Sequence, residues 1–555
     1  MTARRGRWAR PLAMVALVAV VAVGCGSSKS DGGNNAGGDT NATVENLTKP
    51  VNGPPKPGGK IVFGTESDSS GWNPTVDRWD ATGTEIGVSV YDALSAFDEN
   101  FVAQPYLAES FTPNADATVW TVKIRDGIKF INGSPVNAAA VQNEIDKFRA
   151  APLTGAAAAN IDSTALVDNL TLTVTMKQPW AAWPNGLTGQ GGVIPAPEQL
   201  AASAEESSRV PIGSGPFKYR SWSGGTFDAV KNPDYWRKDS SGTQLPYLDE
   251  VVFKTIPDSN QRVNALQTGD INITVTTRND DIKKLTDLAK AGSLQVVASK
   301  GETDENLVLL NTSKAPMNDL RVRQAMAYAI DRPALEAITS TDSSLEADGM
   351  FAKDSKWYAS TDYPTLNVDK AKQLVQEYEA EKGPIKFELG STTDPIVITS
   401  AQFLQQAFND VGMEVSVKQL EQASYITNAV TGDYTAQMWR QFGAPDPDGD
   451  YVWFIGANAT QSLALNMARN QDPELDAALN TQRGSKDLAT RQAAWKTIQE
   501  RQTADLPYLW LSHQPWVMAA DNSIRGLDGG TMPDGTQSAG LIGGVMRLTE
   551  MWRDS

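Results

Sequence analysis

The sequence contains very few of the side chains that bind transition metals or act as catalytic nucleophiles and bases. Among its 555 residues there is one cysteine, Cys25, and one histidine, His513. A chain with a single cysteine forms no internal disulfide and has no Cys-x-x-Cys metal site. A single histidine excludes a His-Glu-x-x-His zinc site and a histidine cluster. We therefore expect neither a metal site nor a cofactor.

Enzyme motifs are also missing. The chain has no Gly-x-Ser-x-Gly motif, no Walker A motif and no complete Gly-x-Gly-x-x-Gly loop. A Ser-His-Asp triad would have to use His513, which we expect to be a loop or strand-end residue near a packed Trp516. The acidic run at 446–450 lacks the bidentate glutamate of an EF-hand loop, and it is more typical of a solvated turn or a ligand anchor than of paired catalytic carboxylates. These patterns argue against an enzyme.

The chain lacks a long basic run and a long hydrophobic run. Its formal net charge is -17, which disfavours non-specific binding of nucleic acid. The longest apolar stretch, Leu12–Val23, covers about a dozen residues, whereas a membrane-spanning helix needs about twenty. This stretch is therefore a poor candidate for a membrane span.

The N-terminus has the three parts of an export signal. A basic region containing four arginines (Arg4, Arg5, Arg7 and Arg10) precedes the apolar stretch Leu12–Val23. The following Ala22-Val23-Gly24-Cys25 resembles the lipobox of bacterial lipoproteins, in which the cysteine receives a diacylglyceryl group. We therefore predict a signal peptide at 1–24 and lipidation of Cys25. The Gly-, Ser-, Asn- and Pro-rich segment that follows predicts a disordered linker that extends to residue 57.

The rest of the chain has a mixed α and β pattern. Lys60–Phe63 predicts a short strand. Residues 318–331 carry apolar side chains at helical spacing, with Asp319 or the preceding asparagine as a cap. Residues 401–418 predict a helix ended by Gly412 and followed by a strand with alternating apolar residues. Helices that lead into strands through tight glycine turns favour an α/β fold.

Aromatic residues are the strongest candidates for ligand contact. The chain has 15 tryptophans and 13 tyrosines, enough to provide both core and cleft residues. Trp72, Trp439 and Trp453 lie beside Gly, Pro or Asp in predicted loops, which makes them candidates for binding. Trp495 lies on a helical face and is predicted to belong to the core.

Seven segments in one order resemble the family 5 solute-binding proteins of ABC importers, which bind dipeptides, oligopeptides and nickel complexes. The segments are LAESFTPNADATVWTVKIRDGIKFINGSPVNAAAV (107–141), PIGSGPFKY (211–219), KNPDYW (231–236), LPYLDEVVFKTIPDSNQRVNALQTGDINI (245–273), LLNTSKAPMNDLRVRQAMAYAIDR (309–332), the helix-strand unit at 401–418 and DLPYLWL (505–511). The resemblance implies an α/β, two-lobed periplasmic-binding-protein-like fold with an extra domain and a hinge of two crossings.

The resemblance also implies domain boundaries. The first lobe is expected at 58–90, 208–305 and 509–555, the extra domain at 91–207 and the second lobe at 306–508. The hinge crossings are expected near Asn306 and Leu506. Closure of such lobes around a solute is a hinge motion.

In peptide-binding members of the family, a Trp and an Asp a few residues apart precede an acidic-Pro step, and this Asp receives the peptide ammonium. The matching segment here is MWRQFGAPDPDGDYVWF (438–454). Trp439 is close to the family Trp, but the Asp position holds Gly443 when counted back from Pro447 and Phe442 when counted forward from Trp439. The anchor that would identify a peptide ligand is therefore missing.

We expect two segments to contact the ligand. The first-lobe residues are Ser67, Asp68, Ser69, Ser70, Gly71 and Trp72. In the second lobe, Trp439 would provide apolar contact, Arg440 a charge-assisted hydrogen bond and Asp446 an acidic partner. For Arg440 and Asp446 the alternative is that they pair with each other or face solvent.

The function implied is an extracytoplasmic lipoprotein, anchored to the cell membrane, that delivers peptides or a related organic solute to an ABC permease and its ATPase. We expect a monomer that binds no nucleic acid. Within the same fold, a non-peptide solute such as a sugar oligomer, an opine or a metal chelate remains an alternative. An anchored hydrolase and a scaffold lipoprotein are the alternatives of other classes.

Overall fold

The computed structural model describes residues 46–51, 53–151, 154–299, 303–339 and 345–554. The predicted signal peptide and the lipidation site Cys25 lie outside these residues. Within the described ranges, no helix has both the length and the hydropathy that crossing a membrane would require.

The strands are short and distributed along the described chain. In chain order they are β1 (Lys60–Thr65), β2 (Ser95–Phe97), β3 (Ala103–Pro105), β4 (Ala108–Pro113), β5 (Val119–Ile124), β6 (Ile161–Leu166), β7 (Thr171–Met176), β8 (Phe217–Ser223), β9 (Thr226–Lys231), β10 (Glu250–Thr255), β11 (Ile273–Thr276), β12 (Gln295–Ala298), β13 (Asp304–Leu310), β14 (Leu345–Glu346), β15 (Lys386–Ser391), β16 (Glu414–Gln419), β17 (Ala436–Gln441), β18 (Tyr508–Gln514), β19 (Val517–Ala520), β20 (Ile524–Arg525) and β21 (Trp552–Arg553).

The α-helices alternate with many of these strands. They are α1 (Ala81–Val90), α2 (Ala138–Ala150), α3 (Pro197–Ala201), α4 (Ala204–Arg209), α5 (Ser259–Thr268), α6 (Asn279–Lys290), α7 (Leu320–Ala329), α8 (Arg332–Thr339), α9 (Val368–Lys382), α10 (Pro395–Asp410), α11 (Gln422–Thr431), α12 (Tyr451–Phe454), α13 (Pro473–Gly484) and α14 (Leu488–Asp505). Short 3₁₀ segments lie at Thr154–Ala158, Trp183–Leu187, Gln190–Gly192, Pro447–Asp450 and Gly456–Asn458.

The first lobe is built on a seven-stranded sheet with the order β12-β19-β11-β1-β10-β9-β8. Its centre is parallel, because β1 pairs in parallel with both β10 and β11. The predicted strand Lys60–Phe63 is confirmed as the start of β1. Ile61 and Phe63 are buried on this sheet, as the alternating pattern requires.

The second lobe is built on a six-stranded sheet with the order β14-β18-β13-β17-β15-β16. Here β15 pairs in parallel with β16 and β17. The predicted cap is confirmed, since the Asp319 side chain accepts a hydrogen bond from the N–H of Arg321 at the start of α7. The helix-strand unit is confirmed as α10 and β16, and Gly412 between them has a φ of +108°. Trp495 is confirmed as a core residue.

Between α1 and β8 the chain forms an inserted domain, which we define as residues 94–196. It contains the antiparallel sheet β4-β5-β7-β6 and α2, around an apolar core of its own. Both of its chain connections lead to the first lobe, because α1 precedes it and β8 of the first sheet follows it. It is covalently attached to the first lobe and touches the second lobe only through non-covalent contacts.

The chain crosses between the two sheets after β12 and again between Gln514 and Val517. The first crossing precedes Asp304, close to the expected Asn306. The second occurs later than expected, because Leu506 only ends α14 and the chain then continues in the second sheet as β18. Residues 508–514 therefore belong to the second sheet, although the expected boundary assigned 509–555 to the first lobe.

The last part of the expected disordered linker is packed on the first lobe. Leu47 forms an antiparallel bridge with Val296 of the edge strand β12, and the N–H of Lys49 donates to Oε1 of Gln295 at 2.7 Å. The side chain of Leu47 is partly buried against the adjacent apolar cluster. The prediction of disorder was wrong for this part of the linker. Its polar composition gave no sign that Leu47 would pair with the otherwise unpaired edge strand β12 and order its neighbours.

Candidate functional site

The carboxyl ends of the parallel strands in the two sheets face each other. Loops at these ends form the ligand crevice in open α/β sheets. Arg278 lies between β11 and α6 in the first lobe, and Asp394 lies between β15 and α10 in the second. Their side chains form an ion pair of 3.3 Å between Nη1 and Oδ2. We call the space bounded by these two edges the cleft.

The first predicted contact segment is the loop after β1, and it is held by internal hydrogen bonds. The Ser67 hydroxyl donates to the carboxylate of Asp80, which caps α1. Asp68 is an exposed acceptor for the Trp222 indole N–H at 2.9 Å. The Ser69 hydroxyl donates to the Gly71 carbonyl at 2.9 Å. Ser70 completes the turn. The loop therefore has a fixed shape, with Asp68 at its surface.

Gly71 and Trp72 are more deeply packed than predicted. A Cβ at Gly71 would lie 2.3 Å from Oδ2 of Asp77, so a larger residue there would displace that carboxylate. The Trp72 side chain is fully buried, with its ring centroid 4.7 Å from that of Phe227 and 5.3 Å from that of Trp222. Trp72 thus packs in the first-lobe core and supports the loop from below.

Trp439 lies on β17 in the middle of the second sheet and is partly buried. Its ring stacks on Tyr425 of α11, with centroids 5.9 Å apart and planes inclined by 19°. Tyr425 is buried, so it fixes one face of the indole. Trp439 is the predicted contact residue whose ring is both held in place and partly accessible.

Arg440 does not pair with Asp446. Its Nε donates to Oδ2 of Asp304 at 2.7 Å. The other oxygen of Asp304 accepts the Trp516 indole N–H at 3.1 Å. Asp304 begins β13 just after the first crossing, and Trp516 lies in the second crossing. Arg440, Asp304 and Trp516 therefore join the two hinge segments to each other and to β17.

Asp446 is paired inside the second lobe, which changes its expected role. Both of its oxygens accept from the guanidinium of Arg491, at 2.6 and 2.7 Å. One of them also accepts the Asp448 N–H at 3.0 Å. Because the side chain is buried and its charge is already neutralised, Asp446 is poorly suited to bind an ammonium group.

Asp448 joins the second lobe to the inserted domain. Arg483 donates to both of its oxygens, at 2.9 and 3.2 Å, and the Trp180 indole N–H donates to Oδ2 at 2.7 Å. Burial opposes ionisation of Asp448, but the Arg483 charge and these hydrogen bonds outweigh it and lower its pKa. Nearby Asp450 is also buried, and burial raises its pKa well above the usual range. The acidic run is therefore largely a packing element.

The position expected to hold an acidic anchor is sterically closed. A Cβ at Gly443 would lie 2.0 Å from the carbonyl oxygen of Thr303, so no side chain fits there. Phe442 takes the position next to it and is exposed to 48%. The sequence could not show that the Phe442 side chain is exposed or that the space beside Gly443 is filled, because Thr303, which fills it, is remote in sequence.

His513 is confirmed as a strand-end residue, at the end of β18. It is buried, and burial together with Lys353 lowers its pKa to about 4. Its Nδ1 lies 3.0 Å from the hydroxyl of Thr303. In the described ranges, no group of three or more His, Cys, Asp or Glu side chains is arranged to hold a metal ion.

Comparisons with known proteins agree with this architecture. The family model "Bacterial extracellular solute-binding proteins, family 5 Middle" matches residues 102–462. The glutathione-binding protein GsiB of Pectobacterium atrosepticum is 27% identical over 469 residues, covering 82% of this chain and 89% of the relative. Its counterpart from Escherichia coli K12 is 26% identical over 475 residues, covering 83% and 90%.

Solved structures share the fold. The periplasmic binding protein DppA of Helicobacter pylori, in complex with the peptide STSA, superimposes with a TM-score of 0.76 at 22% identity and covers 90% of this chain and 99% of its own. AgaA of A. tumefaciens R10, in complex with agropinic acid, gives a TM-score of 0.74 at 24% identity, with coverage of 84% and 94%. These similarities confirm the two-lobed α/β fold.

Proposed function

The chain belongs to the bacterial extracellular solute-binding proteins of family 5, and from that premise we propose that it captures a small organic solute in its cleft and delivers it to an ABC permease. The proposal rests on one observation. The carboxyl-end edges of the two sheets face each other, and the ion pair between Arg278 and Asp394 bridges them. A crevice at such edges is where open α/β folds bind small molecules.

The two crossings provide the mechanism of capture. In the described part of the chain, the two sheets are linked only by the crossing before Asp304 and the crossing between Gln514 and Val517. Rotation of one lobe about these two crossings would open or close the cleft. Closure brings the loop after β1 against the end of β17 and removes the solute from water. The permease and its ATPase then receive the solute from the closed form.

The work proposed is binding and transfer without chemistry. Family 5 members are binding proteins, and the lone imidazole, His513, is buried with one nitrogen beside Thr303. The carboxylates of the acidic run pair with arginines or are buried. A hydrolase would need an accessible base or acid pair in the cleft.

The proposed solute is a peptide or a related organic molecule. The glutathione-binding relatives make a small peptide-like solute the first candidate. Structural neighbours were solved with the peptide STSA and with agropinic acid, so an opine-like solute remains the alternative within the fold. We propose Trp439, Arg440 and the loop residues Ser67 to Ser70 as contacts, and we assign the buried Gly71, Trp72 and Asp446 to the support of those contacts.

We also propose that the protein is exported, lipidated on Cys25 and held at the outer face of the cell membrane as a monomer. The motif around Cys25 and the polar segment after it support this placement. Anchoring near a membrane would keep the cleft close to its permease.

Native mass spectrometry of the full-length protein, purified from membranes in mild detergent, tests the function. We expect one solute to co-purify with each chain and to be displaced by the same synthetic compound. We also expect cells without the gene to lose uptake of that compound. Absence of a bound solute, together with unchanged uptake, would contradict the proposal.

A further inference from the structure

One aromatic side chain differs from all others in the described ranges. Phe442 is exposed to 48%, whereas every other described Phe, Tyr and Trp is buried or partly buried. It directly follows β17, so it lies at the carboxyl-end edge that borders the cleft. Exposing a phenyl ring to water is unfavourable, and aromatic side chains are typical lining residues of ligand clefts.

The ring is also held in place from one side. The guanidinium of Arg440 lies 5.4 Å from the Phe442 centroid and 5.2 Å from the Trp516 centroid. Trp516 is packed in the first-lobe core and Asp304 holds the guanidinium. Phe442 is therefore the outer layer of a stack formed by Trp516, Arg440 and itself, at the place where the two lobes meet.

The outer face of this stack fits another planar group. Among the described residues, no other cation or ring stacks on Phe442 besides Arg440. A planar ring that stacks on phenylalanine gains contact area and a favourable offset or edge geometry. A fixed ring offers this contact at low entropic cost, because Arg440 already restricts its orientation.

Recognition of a charged amino group is poorly supported at the same place. The aspartates nearest to Phe442 in sequence and in the sheet are Asp304, Asp446 and Asp448, and each is paired with an arginine. An aspartate cannot be placed at Gly443, because the Thr303 carbonyl occupies that space. These three aspartates are therefore not free to bind an ammonium group beside Phe442.

We propose that Phe442 is the specificity-determining residue of the cleft and that it selects solutes carrying a planar aromatic group. This inference rests on the proposed function, because it concerns the solute of the same cleft. It adds the chemical feature that distinguishes a preferred solute from others of similar size.

Two uncharged probes that differ by one phenyl ring test the inference. N-acetyl-L-phenylalaninamide and N-acetyl-L-alaninamide are compared by saturation-transfer NMR titration with the full-length protein in mild detergent. We expect the phenyl probe to bind about two- to tenfold more tightly, the range of one aromatic contact. The variant Phe442→Ala should reduce this ratio to about one, and Phe442→Trp should retain it.

Leu463→Ala is the matched control. Leu463 is exposed to 57% in the same lobe. If the phenyl probe bound non-specifically to exposed apolar side chains, this variant would lower the ratio as well; if it bound to the detergent, neither variant would change the ratio. We expect the ratio to be unchanged in this variant. Equal binding or no binding of the two probes by the natural chain, or a ratio that persists in Phe442→Ala, would overturn the inference.

The two proposals fail in different ways. If the proposed function is wrong, the purified protein carries no solute and uptake does not depend on it. If only the role of Phe442 is wrong, a solute co-purifies and uptake depends on the protein, but the phenyl preference is absent or independent of Phe442.

Discussion

The indole N–H of Trp180 in the inserted domain donates a 2.7 Å hydrogen bond to Oδ2 of Asp448 in the second lobe. The Trp180 ring also lies 4.5 Å from the guanidinium of Arg483, which pairs with the same aspartate. Since the inserted domain is covalently attached to the first lobe alone, these contacts must separate if it moves with that lobe. We therefore expect these contacts to favour the closed form of the cleft.

Replacing Trp180 with Phe should shift the protein towards an open form. The change removes the indole N–H and keeps a ring, while Arg483 still neutralises Asp448. We expect a larger radius of gyration in small-angle scattering and a free energy of unfolding lower by about 1.5–3 kcal/mol, the order of a hydrogen bond to a charged group. Trp236→Phe is the control, because its indole N–H also donates to a buried carboxylate, Asp92, at 2.9 Å without reaching the second lobe. Identical scattering for both variants would contradict the prediction.

Asp446→Asn should act on stability more than on ligand affinity. The substitution leaves the buried guanidinium of Arg491 without its ionic partner, and breaking a buried pair on one side costs about 3–5 kcal/mol. Chemical denaturation should show this loss, while calorimetry should show solute affinity changed less than about threefold. The opposite pattern, with intact stability and lost affinity, would restore Asp446 as a ligand anchor.

His513 provides a pH prediction that can be followed on one signal, because it is the only histidine of the chain. Burial and Lys353 lower its pKa from 6.5 to about 4 in the folded protein. The contribution of His513 to stability is therefore fully present above pH 6.5 and is lost as pH falls from 6.5 to 4, on the order of 3 kcal/mol.

Carbon-detected NMR of the labelled imidazole measures this pKa directly. We expect the folded protein to show a neutral ring throughout the range in which an exposed histidine titrates. In the His513→Asn variant, the fall of stability with acid should be shallower. A midpoint near the ordinary value of histidine would contradict the burial argument.

Leu47→Ala should lower the free energy of unfolding by about 1 kcal/mol, because Leu47 is partly buried where it pairs with β12. Val51→Ala is the matched control, since Val51 is exposed to 58% in the same segment, and it should change stability by less than about 0.5 kcal/mol. Thermal or chemical unfolding of both variants checks this. Equal effects would show that the segment does not depend on Leu47.

Cys25→Ala should release the protein from the membrane fraction or stall its processing, because the thiol is the proposed attachment point of the lipid. Fractionation and mass spectrometry of the N-terminus measure both outcomes. If the variant stays membrane-bound to the same extent as the natural chain, lipidation at Cys25 is not the anchor.

Local sequence patterns correctly predicted those helices, strands and turns that are determined by residues within one short segment. The Asp319 cap, the Gly412 turn and the alternation in β1 depend on neighbours a few residues away, and the structure confirms all three. The resemblance of seven ordered segments was sufficient for the two-lobed fold.

The partners of the site residues could not be predicted, because they are remote in sequence. Trp72 was expected in an open loop, but Phe227 and Trp222 bury it. Asp446 was expected to meet a ligand or Arg440, but Arg491 arrives from α14 and takes both oxygens. Burial and ion pairing of a loop residue depend on which distant elements pack against it, and a single sequence does not contain that information in a local form.

The central claim is tested most directly by calorimetric titration. The co-purifying solute is first removed from the full-length protein and is then titrated back into it. We predict one site per chain, and we predict that Trp439→Ala weakens binding by about 1–2 kcal/mol, the order of an aromatic contact residue. Stability is measured in parallel, because Trp439 also stacks on Tyr425. Unchanged affinity in both Trp439→Ala and Arg440→Ala, with both variants folded, would contradict the location of the solute in this cleft.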